Sequence, residues 1–330
     1  MSTSAKASIF ELVESFHLAH AACALHRIGV LSLMDRPSSS EDVAAAKGLD
    51  ASLVAAVLEF LAERTELIER SGEGYRTTEY YDIRAGAMLD QYIGAYGPNA
   101  EALVEVLRNP SVARQLVNRD CHLAALESLP GPGDAVLPDV LEQLQLSRVL
   151  DLGCGPAGLL VTMAQRNPQF IGWGLDGDPG MCAAARRRIA AGGFADRLHI
   201  YEGDCAAAGT IVPDEIRPRV QALTAASVFN EFFMPDSGKI IELIRYLQKH
   251  FFGKLLIVAD YYGHQSRSGR SSSRVWALHD YIQAISGQGV PPADNLAWTR
   301  IYAQADCALL HVFDSPSGES FVHLVRLSST

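Results

Sequence analysis

Along the first third of the chain, apolar residues recur at helical spacing. Ile9, Leu12, Val13, Phe16, Ala19, Ala22, Cys23, Leu25 and Ile28 define one long helix, which Gly29 interrupts near its end. Ser38-Ser39-Ser40-Glu41 has the form of a capping box with Ser38 as the cap, opening a short helix through Lys47 that Gly48 ends. Asp50 is placed to cap a third helix, in which Leu53, Val54, Val57, Leu58 and Leu61 repeat at three and four. Residues 67–70 and 75–78 flank the turn Ser71-Gly72-Glu73-Gly74 and read as a two-stranded wing. Residues 80–129 continue as a helical connector with several short breaks. The cluster Leu129-Pro130-Gly131-Pro132-Gly133-Asp134 breaks any regular element and marks a domain boundary.

Past that boundary the period changes. A short helix over 136–144 feeds an apolar run at 149–152, and further strand-like runs at 170–175, 197–201, 220–226 and 255–260 alternate with helical ones. Alternation of this kind belongs to a parallel sheet. Residues 307–313 and 321–327 close the chain as an antiparallel pair around Ser315-Pro316-Ser317-Gly318. The pattern predicts an α/β protein: a Rossmann-like doubly wound seven-stranded sheet over 135–330, preceded by a winged-helix-like domain at 1–100 and a helical connector at 101–134.

Composition narrows what such a chain does. Its 330 residues are 48% hydrophobic and 20% charged, and the formal net charge of -10 leaves no basic footprint for nucleic acid or an anionic membrane. Ala51 to Glu63 carries neither arginine nor lysine, so the third helix lacks what a DNA-reading helix needs. Small-molecule chemistry is favoured. Cys23, Cys121, Cys154, Cys182, Cys205 and Cys307 are scattered without C-x-x-C pairs, and they read as reduced, mostly buried thiols of a cytoplasmic protein. No signal peptide or bilayer-length apolar run is expected. His17, His20 and His26 are spaced too irregularly for a metal face, and no metal is expected.

The chemistry centres on Val149-Leu150-Asp151-Leu152-Gly153-Cys154-Gly155-Pro156-Ala157-Gly158, a strand, a G-x-G-x-x-G turn and the start of a helix. Such a turn brings a nucleotide to the strand's C-terminal end. Asp151 in front of the glycines would oppose a pyrophosphate, but it suits a ligand carrying an ammonium and a sulfonium. With this D-x-G-x-G-x-x-G form the chain resembles the class I S-adenosylmethionine-dependent methyltransferases. Asp176 stands 25 residues beyond Asp151 at the end of the second strand, where a carboxylate accepts both hydroxyls of a ribose. The resemblance also assigns Gly203 and Asp204 to the adenine, with Cys205 against its face. Residues 1–100 resemble the dimerisation domain of the small-molecule O-methyltransferase branch. That likeness implies an intertwined homodimer whose helices complete the partner's pocket, with Tyr92 and Tyr96 in the roof over the substrate.

Residues 227–233 follow the fourth strand and face the reacting centre. O-methyltransferases of this branch carry histidine then aspartate here, whereas this chain has Asn230-Glu231. An amide orients a nucleophile but takes no proton at neutral pH. Phe229 and Phe233 are candidates to face the sulfonium and the substrate. His279, on a helix that closes over the substrate in the family, is a candidate displaced base. Its neighbour Asp280 points elsewhere on a helix, so the two do not make a metal pair unaided. The run 264–273 reads as a surface loop whose His264, Arg267, Arg270 and Arg274 meet solvent. These features imply methylation of a nitrogen or carbon centre on a small metabolite. The alternative is cyclisation of S-adenosylmethionine itself to azetidine-2-carboxylate and methylthioadenosine, with no substrate beyond the cofactor.

Overall fold

The computed structural model describes residues 7–129, 132–264 and 274–328, with the side chains of 132–135 left aside. Its chain divides into two compact units: residues up to Pro98 with Asn118–Leu129, and Asn99–Val117 with the remainder from Pro130.

In the first unit α1 (Ile9–Arg27) starts from Ser8, whose hydroxyl accepts from Glu11 N while the Glu11 carboxylate accepts from Ser8 N. The second helix, α2 (Ser40–Lys47), is capped by Ser39 rather than Ser38, through Asp42 N. Ser38 is unavailable because its backbone bridges Tyr75, giving and taking hydrogen bonds of 2.9 Å, so the helix begins one residue later. Asp50 caps α3 (Ala51–Arg64), and β1 (Ile68–Ser71) pairs antiparallel with β2 (Gly74–Thr77). Leu25, Val30, Met34, Val43, Val54, Leu58 and Leu61 make the core of this unit. His26 is fully engaged there: Nδ1 lies 2.7 Å from the Tyr81 hydroxyl and Nε2 3.1 Å from Asp90 Oδ2.

The second unit is built on a seven-stranded sheet. Its strands are β3 (Arg148–Leu152), β4 (Ile171–Asp176), β5 (Leu198–Glu202), β6 (Ala222–Ala226), β7 (Leu255–Tyr261), β8 (Ala308–Asp314) and β9 (Ser320–Arg326). They lie in the order β5-β4-β3-β6-β7-β9-β8, the first five parallel and β9 antiparallel to both of its neighbours. Alternate residues serve opposite faces. Leu150, Leu223, Leu256 and Val258 join Ile240, Ile244 and Trp298 from α7 (Gly238–His250) and α9 (Asn295–Gln304). Val149, Ala222 and Ile257 join Leu137, Leu160 and Ile189 from α4 (Pro132–Gln143), α5 (Gly158–Arg166) and α6 (Pro179–Ala191). Helices thus cover both faces, and strand order reverses between β3 and β6, the point where such sheets open a ligand crevice at their C-terminal ends.

Candidate active site

The expected cofactor residues gather at that crevice. Asp151 is buried in β3 and accepts a 2.7 Å hydrogen bond from Thr224 Oγ1, its register partner on β6. Gly153 has φ +61° and a Cβ there would collide with Val228, so both conformation and space demand glycine. Gly155, at φ +49°, donates its N–H to Asp176 Oδ2 at 2.8 Å. Asp176 Oδ1 takes Asp178 N at 2.9 Å, and the Asp176 carbonyl takes Gly203 N at 2.8 Å. One residue therefore braces the loops that follow β3, β4 and β5.

Gly158 opens α5 behind Ala157, itself left-handed at φ +60° and without a side-chain cap on the helix. Asp204 is exposed, and its Oδ1 accepts from Ala206 N at 2.7 Å. Cys205 beside it is buried, and that burial, with Asp204 nearby, pushes its thiol up to about 12. It is a neutral surface to pack against rather than a nucleophile. These groups suit an uncharged adenine edge, a ribose and a cationic arm.

The turn Phe229–Phe232 follows Ser227, a non-glycine residue at φ +54°. Phe229 is fully buried, and Phe233 packs edge-on against Trp298 with centroids 5.3 Å apart. Asn230 is buried, and its backbone N–H donates to Asp260 Oδ2 at 3.0 Å while Tyr261 N donates to Oδ1 at 2.9 Å. Burial raises the Asp260 carboxyl to about 7, against the pull of those two donors. Asp260 escaped the sequence reading; the one signal was an acid ending the apolar run Leu-Leu-Ile-Val-Ala. Glu231 is tied to Arg114, whose Nη2 donates to its carbonyl at 2.5 Å.

From β7 the contacts run round to α8 (Arg274–Ile285). Tyr261 stacks on Trp276 at 5.2 Å and meets the edge of His279 at 4.8 Å. Desolvation lowers His279 to about 4, so its imidazole is neutral at neutral pH and a weak base. Its Nε2 lies 3.4 Å from Gln283 Nε2. The Gln283 carbonyl accepts from Gln288 N at 3.1 Å, and the Gln288 carbonyl accepts from Phe233 N at 3.1 Å, closing a ring back to the Asn230 turn. Gln283 and Gln288 carry no spacing signal and were missed in the sequence.

His264 does not belong to an exposed loop. It is buried, stacks on Trp276 at 5.9 Å and donates its N–H to Asp280 at 2.5 Å. Arg267 and Arg270 lie outside the described residues. Tyr92 and Tyr96 belong to the first unit, where Tyr96 is buried edge-on to His122. All six cysteines are buried. Among the described residues no group of three or more His, Cys, Asp or Glu is placed for a metal, and no helix is long and apolar enough to cross a membrane.

Residues 149–249 match the family described as "Methyltransferase domain". Over 54 residues the chain is 44% identical to trans-aconitate 2-methyltransferase of Methylobacterium nodulans, a stretch covering 16% of this chain and about a fifth (21%) of that protein. The mitomycin 7-O-methyltransferase MmcR superposes with TM-score 0.76 at 15% identity, covering 96% of each chain. The N,N-8-amino-8-demethyl-D-riboflavin dimethyltransferase RosA from Streptomyces davawensis superposes with TM-score 0.65 at 17% identity, covering 98% of each. Residues 149–249 therefore carry a methyltransferase domain, and the chain as a whole shares the fold of these methyltransferases.

Proposed function

We propose that the chain methylates a nitrogen or carbon centre of a small secondary metabolite. S-adenosylmethionine, when bound, supplies a methyl carbon on a sulfonium, so that a nucleophile's electron pair forms the new bond while the carbon–sulfur pair stays on sulfur. Asp151 attracts the cationic arm, Asp176 holds the ribose, and Gly203, Asp204 and Cys205 bound the adenine, with Gly153, Gly155 and Gly158 giving the ligand close access to main chain. Phe229 and Phe233 exclude water around Asn230.

The observation that carries the reading is the buried amide of Asn230 where the O-methylating branch keeps a base. An amide aligns an acceptor that is already nucleophilic, and alignment with water excluded is most of what this reaction asks of a protein. His279, neutral and weakly basic, contacts the acceptor rather than deprotonating a hydroxyl. The fold shared with RosA accommodates such acceptors. The enzyme works as a homodimer through the exposed apolar face of α1.

The second reading, cyclisation of S-adenosylmethionine to azetidine-2-carboxylate, draws on the same Asn230 amide and its aromatic surroundings. Incubating the purified protein with S-adenosylmethionine alone and identifying products by mass spectrometry separates the two. Methyl transfer predicts an unchanged cofactor until an amine or keto acid is added and S-adenosylhomocysteine appears. Enzyme-dependent methylthioadenosine with a four-membered amino acid would overturn it in favour of cyclisation.

A further inference from the structure

Behind Asn230 stands a buried acid to which the chemistry above gives no task. Each oxygen of Asp260 takes one backbone N–H, Oδ2 that of Asn230 at 3.0 Å and Oδ1 that of Tyr261 at 2.9 Å. The side-chain oxygen of Asn230 anchors nothing, being shut off from solvent and without a hydrogen bond among the described residues. Where that amide sits is therefore decided through its backbone. Other anchors hold the flanks of the same turn. Ser227 N donates to the Ala259 carbonyl at 2.8 Å, Phe233 N donates to the Gln288 carbonyl at 3.1 Å, and Arg114 donates to the Glu231 carbonyl. Of these anchors Asp260 alone titrates near neutral pH.

An ionised carboxylate takes both N–H groups in charge-assisted bonds, about twice as strong as neutral ones. One proton removes the charge and turns part of the accepting capacity into an O–H donor, so both bonds weaken together. The charge that bears on Asp260 is itself negative: Glu231, on the same turn, opposes its ionisation. On α9 burial keeps the Tyr302 phenol neutral, and on β9 it keeps His323 neutral. On β7 the Tyr262 hydroxyl donates to Asp314, and α8 sets the neutral His279 against Tyr261. From α7 the buried residues are Ile240, Ile241, Leu243, Ile244 and Leu247. A neutral asparagine would be cheaper to bury, so an acid held in these surroundings points to a use for its charge.

We propose that Asp260 is a positioning residue: its carboxylate fixes the Asn230 peptide against the end of β7, and a proton on it withdraws Asn230 from the reacting centre. The inference rests on the reading that Asn230 meets that centre, which methyl transfer and cyclisation share. In NMR spectra of the full-length protein, the amide protons of Asn230 and Tyr261 should shift together with pH, with one midpoint near 7. Asp260→Asn should abolish that shared midpoint. Separate midpoints, or none, overturn the proposal.

The second readout is consumption of S-adenosylmethionine, followed by mass spectrometry with and without an amine or keto acid. Below the amide midpoint, wild-type kcat/KM should fall about tenfold per pH unit, as when one protonation removes the active form. Asp260→Asn should turn over slowly with that limb gone, and Asp260→Glu, which keeps the acid, should retain it. A limb unchanged in Asp260→Asn, or a wild-type limb displaced from the amide midpoint, overturns the proposal. The second comparison needs only wild-type protein and decides even where a variant fails to fold. Protein that consumes no S-adenosylmethionine under any condition counts against the transferase reading, while the amide titration decides on the Asp260 brace by itself.

Discussion

Two backbone N–H groups, from Asn230 and Tyr261, hold the buried carboxylate of Asp260 beside the candidate reaction centre. Its folded pKa of about 7 stands above the ordinary 3.8. Between those values the unfolded chain has released a proton that the native state keeps. The stability owed to this group is therefore full below 3.8 and lost as pH rises through about 7. His279 and His323, held by burial to about 4 and about 3, act in the opposite sense, contributing above 6.5 and losing that contribution as pH falls. Asp260→Asn isolates the first effect. Relative to wild type, its urea-unfolding free energy should gain on the order of a few kcal/mol as pH rises through that window. A difference that stays constant with pH would remove Asp260 as a titrating group. Single residues of this kind were the least legible in the sequence. Asp151, Asp176 and the glycines announce themselves by spacing along a strand and turn. Asp260, Gln283 and Gln288 owe their character to burial by segments far along the chain, which no local pattern records.

Elements were legible where a period or a cap decided them. All seven strands of the large sheet lie within two residues of their expected bounds at either end, because each is a short apolar run closed by a polar turn. The cap of α2 moved from Ser38 to Ser39 because a tertiary bridge to Tyr75 claimed the first serine, and three serines in a row cannot show which one is taken. The turn after α8 is another tertiary matter. Gly289 has φ +89°, and a Cβ there would run into the backbone of Phe233. Gly289→Ala should cost about 1–3 kcal/mol from backbone strain alone. It should also displace the Asn230 turn, so that turnover falls further than the thermal midpoint implies. An alanine variant with wild-type stability and turnover would show that the two turns do not depend on each other.

At the scale of the molecule, the first unit leaves Ile9, Phe10, Leu12, Val13 and Phe16 of α1 between 52% and 77% exposed. A contiguous apolar face of this kind marks an association surface. In sedimentation velocity the protein should run as a dimer, and Leu12→Glu with Phe16→Glu should shift it to monomer without loss of helix content; a monomeric wild type would sink the homodimer. The brace at Asp176 has a consequence for motion. Because its side chain takes the Gly155 N–H and its carbonyl takes the Gly203 N–H, neither amide can reach solvent unless this one residue lets go. Opening of the cofactor loops is thus a single cooperative event. In hydrogen exchange the two glycine amides of the wild type should report one common opening free energy; in Asp176→Ala the Gly155 amide should lose its protection, while the Gly203 amide, bonded to a backbone carbonyl that alanine keeps, should retain more of it.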